Sequence, residues 1–200
     1  MSIDIYKQTS MKEPKTIAIP DDFVVLFPKP SERIKSIIQK VPLTCKVLFL
    51  YKLHRGISEE WKTWAWEMME KGMETPGIIQ LAGEDLYMNP FEFASIVSKI
   101  IQELGIELTN DDVYYQYALV IGRQVLLGEL TAEEGFKILT QAAIDTDYHD
   151  AFMHFYYLED HANLLRDNLP GCLPNVSMQK DTIKEWMHIY FEKLIKRNED

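Results

Sequence analysis

The segment Asp111–Leu130, DDVYYQYALVIGRQVLLGEL, limits the possible folds more than any other part of the chain. Wound as a helix, it points Val113, Tyr114, Tyr117, Ala118, Val120, Ile121, Val125 and Leu127 in nearly every direction. A surface helix shows one apolar stripe, whereas a helix apolar all round has to be enclosed by other elements. Gln116, Arg123 and Gln124 interrupt the run, so it does not meet the requirement for a membrane span, about 20 residues with few charges. Gln116 and Arg123 stand two helical turns apart and form one polar seam on an apolar rod. The expected architecture is all-α, a single bundle of about eight helices around residues 111–130.

The neighbouring segments carry helix punctuation. Ser31 precedes Ile34, Ile37 and Ile38 at helical spacing, and Pro42 breaks the run. LTCKVLFLYKLHRG (43–56) fits either a helix or a strand. Ser58 opens a helix in which Trp61, Trp64, Ala65 and Met68 share a core face. Trp66 falls on the other side of that helix, where it is either covered by another segment or kept for a partner. Pro76 suits the first turn of a short helix ending at Gly83. Asn89-Pro90-Phe91-Glu92 starts another, whose stripe is Phe93, Ile96, Val97, Ile100 and Ile101. Thr131-Ala132-Glu133-Glu134 is a capping box. A further helix is expected over 147–166, and the last one buries Ile183, Trp186, Met187, Tyr190 and Leu194.

Residues 1–30 differ from the rest: two β-branched or aromatic runs are cut by Pro14, Pro20, Pro28 and Pro30. They read as an extended arm, either a small hairpin or a strap along the helices, preceding a helical domain over 31–200. The opening MSIDIYKQTS lacks a basic segment followed by an apolar run, so no signal peptide or anchor is expected. Cys45 and Cys172 have no paired spacing, which fits a reducing, cytoplasmic setting and needs no thiolate metal site.

Charge is unevenly spread. Residues 1–56 carry 10 Lys and Arg against 5 Asp and Glu, and residues 57–170 carry 6 against 21. An acidic body repels phosphates, which argues against nucleic acid as a partner. The basic N-terminal part either folds against the acidic body or leaves an acidic face for a basic protein.

The stretch LAGEDLYMNPFEFASIVSKIIQELGIEL, followed by LLGELTAEEGFKILTQAA and FYYLEDH, resembles a group of uncharacterised bacterial helical proteins. The similarity spans Leu81 to His161, with GELTAEEG (128–135) its most distinctive piece. It implies a bacterial, cytoplasmic, all-helical protein and brings no catalytic residue.

Candidate chemistry concentrates between Asp145 and His161. Asp150, His154 and His161 fall on one helical face, a spacing compatible with metal ligation. On a helical wheel the two histidines sit among Tyr157, Leu158, Leu164 and Leu165, where desolvation holds imidazole neutral. Phe152 and Tyr156 fall on the opposite, polar arc with Glu159, Asn163 and Arg166. These two rings are either covered by the C-terminal helix or exposed for binding. Arg123 stays protonated, so it requires a carboxylate or a bound anion, with Asp150 and Asp160 as expected mates. No phosphate-binding Gly-rich loop, GxSxG or CxxC motif occurs.

The expected function is therefore a non-enzymatic protein-binding module without cofactor, of the immunity or adaptor kind. The competing class is a metal- or anion-dependent enzyme with its pocket between helices 111–130 and 147–166.

Overall fold

In a computed structural model describing residues 17–199, the chain is an all-helical bundle. Nine α-helices occur among the described residues: α1 Glu32–Lys40, α2 Leu43–Lys52, α3 Glu59–Glu70, α4 Pro76–Gly83, α5 Pro90–Glu103, α6 Asn110–Leu126, α7 Ala132–Asp145, α8 Asp150–Arg166 and α9 Ile183–Glu199. The ambiguous 43–56 segment supplies the ninth. Thr44, Cys45, Val47, Leu48 and Phe49 are all buried there, a spread that one half-buried strand face does not produce.

Punctuation read from the sequence appears as hydrogen bonds at Ser31, Asn89 and Thr131, whereas Ser58 makes no capping bond to α3. The side chains of Ser31, Thr75, Asn89 and Thr109 accept from backbone N–H groups in the first turns of α1, α4, α5 and α6. At α7 the capping box is complete: Thr131 Oγ1 accepts from Glu134 N at 3.2 Å, and Thr131 N donates to Glu134 Oε2 at 2.8 Å.

Helix α6 is central. It packs against α2, α7, α8 and α9, and it buries Val113, Tyr114, Ala118, Leu119, Ile121 and Val125. It is shorter than the expected 111–130, because Gly128 turns the chain out at φ +76°. Leu126 and Leu127 consequently stand exposed instead of belonging to the core. Two glycines set its tightest contacts. A Cβ on Gly122 would meet Ile195 at 3.0 Å, and one on Gly135 of α7 would meet Val125 at 2.7 Å and Phe191 at 3.0 Å.

Helix α8 also starts later than 147. Asp147 and Tyr148 adopt left-handed φ values of 53° and 61°, and His149 caps the helix by accepting from Ala151 N at 3.2 Å.

The remaining helices form a second group. α2 joins α6 to α3, and α3, α4 and α5 pack in succession. Trp61 is the centre of that group, edge-on to Trp64 and Phe93 at 5.5 and 5.2 Å.

Of the expected arm, residues 1–16 lie outside the described residues. Residues 17–30 form a strap with one 3-10 turn, Asp21–Phe23, and no hairpin. Ile19, Val24 and Phe27 are buried. Asn198 of α9 holds the strap through its amide: Oδ1 accepts from Phe27 N at 2.7 Å, and Nδ2 donates to Val25 O at 3.0 Å. Asp21 pairs with Lys193, and its carbonyl accepts from Arg197. Asp21 of the arm thus meets the basic end of α9. Contact between the basic N-terminal part and the acidic body runs instead through Lys46 and Glu60, 3.0 Å apart, and through Arg33 and Lys52, which donate to the Leu104 and Leu108 carbonyls.

Candidate functional site

Helix α8 carried most of the expected chemistry, and its orientation decides the outcome. Its buried arc is centred on Ala151, Phe155, Leu158 and Ala162. Phe152 and Glu159 lie on one edge of that arc, and His154 and His161 lie on the other. The expected wheel was rotated, because the small Ala151 and Ala162 gave less signal than Tyr157 and Leu164. Phe152 is fully buried and cannot be a docking ring. It packs edge-on to Phe49 and Tyr117 at 5.8 and 6.4 Å and against Tyr114 at 5.7 Å. Its cover is α2 and α6, not the C-terminal helix. Tyr156 is half-buried, edge-on to Tyr148 at 5.4 Å.

Each histidine is held by a different element. His154 Nδ1 lies 3.0 Å from the Tyr190 hydroxyl, and its ring faces Phe23 of the strap at 5.3 Å. His161 Nδ1 accepts from Leu173 N at 3.0 Å, which puts the ring proton on Nε2, where it has no partner among the described residues. Burial lowers both pKa values from the usual histidine range; at His161 the Asp160 carboxylate opposes the shift. Asp150 is exposed at the start of α8. The three residues are not brought together, and no group of three or more His, Cys, Asp or Glu suited to a metal occurs among the described residues. The faces of α6 and α8 that were expected to enclose a pocket instead meet through Tyr114, Tyr117 and Phe152.

A partly buried ion network went unnoticed in the sequence. Glu159, although nearly enclosed, receives Arg166 Nη1 at 3.0 Å, and Arg166 also reaches Glu133 at 3.2 Å. The i, i+7 spacing of Glu159 and Arg166 was the available signal.

Arg123 finds its carboxylate on α9: Nε to Glu199 Oε1 is 2.7 Å. The expected mates Asp150 and Asp160 are not used, because the seam of α6 faces α9 and the strap and turns away from α8. Gln116 and Arg123 line a cleft of 550 Å³ walled by the strap from Leu26 to Pro30, by α1 and by the end of α9.

A different surface carries exposed rings. Trp66 on α3 is 55% exposed, and no segment among the described residues covers it. Tyr87 is 95% exposed, and Phe91, in the first turn of α5, is 86% exposed. Asp85 Oδ1 accepts from Tyr87 N at 2.8 Å, and Asn89 Oδ1 accepts from Phe91 N at 2.8 Å, fixing the backbone beneath both rings. Glu84, Asp85 and Glu92 flank them, and the span 59–103 holds nine acids against three lysines. Sequence reasoning passed over Tyr87 and Phe91. The signal at Phe91 was its position two residues before Phe93, about 200° round the helix, so both could not belong to one stripe.

Comparison of the chain with family models, curated proteins and solved structures gave no match. No helix among the described residues is long and apolar enough to cross a membrane.

Proposed function

We propose that this chain is a non-enzymatic protein-binding module, adaptor- or immunity-like and cytoplasmic, that docks a basic protein on the acidic face of α3–α5. The observation that carries this reading is the exposure of Tyr87 and Phe91 on a hydrogen-bonded turn flanked by Glu84, Asp85 and Glu92. Aromatic side chains are enriched at interface hot spots, and a surrounding field of one sign speeds encounter with the opposite sign. Trp66 on α3, which packs on α4 as α5 does, is a further exposed ring of this acidic helix group. A second copy of the chain is disfavoured as the occupant, because it would bring acids against acids. Both cysteines are free, Cys45 buried and Cys172 exposed, which accords with a reducing compartment. The bacterial setting rests on the resemblance of Leu81–His161 described above.

The test compares capture by the full chain with capture by a Tyr87→Ser, Phe91→Ser variant. A basic protein that is retained by the parent, released by salt and bound at least tenfold more weakly by the variant supports the proposal. A partner that binds both forms equally, or whose binding ignores salt, overturns it.

A further inference from the structure

The cleft between strap, α1, α6 and α9 lies outside the docking face and has a different chemistry. Six charged side chains line it: Lys29, Lys35, Arg123 and Arg197 against Glu32 and Glu199. Glu199 pairs with Arg123, and Arg197 donates to the Asp21 carbonyl. Lys29 and Lys35 have no carboxylate partner among the described residues, which leaves the cleft cationic on a chain of net charge -10. Local positive potential inside a concave wall concentrates anions. The floor supplies a second, independent feature. The Gln116 side chain is only 4% exposed, lines the cleft and makes no hydrogen bond among the described residues. Its amide atoms are not among the fully enclosed polar atoms without a partner, so they are reached from the cleft, where water or a ligand satisfies them. Apart from Gln39 and Asn198, the remaining wall is apolar and includes Phe27, Pro28 and Leu119. A volume of 550 Å³ falls within the range of about 300–1,000 Å³ usual for small-molecule sites.

We infer that this cleft binds a small organic oxyanion, a carboxylate or phosphate monoester on an apolar body. The Gln116 amide N–H donates to the oxyanion, Lys29 and Lys35 neutralise it, and the apolar body lies against Phe27 and Leu119. Since the strap forms one wall, a bound ligand also fastens the strap to α6.

Titration calorimetry and thermal shift on the full chain test this with four probes: octanoate, phenyl phosphate, inorganic phosphate and octyltrimethylammonium. Saturable one-to-one binding of octanoate or phenyl phosphate, at least tenfold tighter than inorganic phosphate and accompanied by a raised melting temperature, is expected. The octyl cation should not bind. Gln116→Leu should weaken the organic anion at least tenfold while the free protein melts no lower than the parent, since the amide makes no hydrogen bond among the described residues that could be lost. Lys29→Gln with Lys35→Gln, both at exposed positions, should also weaken it at least tenfold and flatten the salt dependence. Absence of saturable binding by either organic anion overturns the inference. So does equal binding of the octyl cation, or an affinity that both variants leave unchanged.

Discussion

Two phenylalanines, Phe27 and Phe91, reverse the usual link between regular structure and burial. Phe27 sits in a stretch of the strap that is neither helix nor strand and is 6% exposed. Phe91 sits in a capped helix and is 86% exposed. On the strap side, backbone groups that lack a helical partner are met by Asn198 and Arg197 of α9, so an irregular segment can enter the core. On the α3–α5 side the helices satisfy their own backbone and have spent their apolar stripes on one another, leaving Trp66, Tyr87 and Phe91 in water. Burial here follows from which surface finds a partner, not from how regular the segment is.

The sharpest way to break that comparison is truncation of the two rings. Phe27→Ala should cost about 3–5 kcal/mol, as for other buried phenylalanines. Denaturant unfolding measures it, and a loss below about 1 kcal/mol would show the strap to be peripheral. Deleting residues 1–29 should be more severe still, with loss of cooperative unfolding, because Ile19 and Val24 leave the core along with Phe27.

Next in size is Gly135→Ala, which drives a methyl against Val125 and Phe191 where α6, α7 and α9 meet. Overpacking of this kind costs about 1–3 kcal/mol. An equal substitution at Gly83, where a Cβ meets nothing within 4 Å, serves as the control on the α3–α5 side. Similar melting curves for the two variants would deny the close approach.

A pH titration reads the two histidines apart from the held-down carboxylates, which lie on both sides, as at Asp21 of the strap and Glu60 of α3. His154 and His161, beside the strap and the loop after α8, have pKa values lowered by burial. The unfolded chain therefore binds protons that the folded chain refuses. Stability is complete above the unfolded histidine pKa of about 6.5 and falls as pH drops below it. On the α3 side Glu60 is held down to about 2, chiefly by the Ser58 hydroxyl and also by Lys46. Its contribution is present above the unfolded carboxylate pKa of about 4.3 and is lost as pH falls from there toward 2. His154→Gln with His161→Gln should remove the upper limb of the decline and leave the lower one. An upper limb that survives the double change belongs to other groups.

The smallest expected effect is that of Phe91→Ala, within about 0.5 kcal/mol in either direction. A drop in melting temperature like that of Phe27→Ala would mean the ring is covered in solution, and the docking proposal would lose its main support.

Much of this was legible in the chain because it is local. The capping box at Thr131-Glu134, the Asn89-Pro90 start and the apolar stripes of α1 and α5 depend on residues within a few positions of one another. The enclosure of α6 was legible too, since apolar residues on every side leave a helix no solvent face. The polar seam of Gln116 and Arg123 was visible as spacing alone. What it faces, the strap and the end of α9, was not.

Tertiary structure decided whatever depended on which helix lies beside which. Ala151 and Ala162 are nearly silent in a hydrophobic pattern, yet they mark the middle of the buried arc of α8. Phe152 therefore went inward onto α2 and α6, and the two histidines went to separate neighbours. Arg123 took Glu199, 76 residues away, over nearer carboxylates. Side-chain periodicity reports a helix's own faces, whereas the choice of partner for each face is a contest among all the surfaces in the bundle. That contest is settled by packing volume, as at Gly122 and Gly135, where only the absence of a Cβ lets α6, α7 and α9 close together.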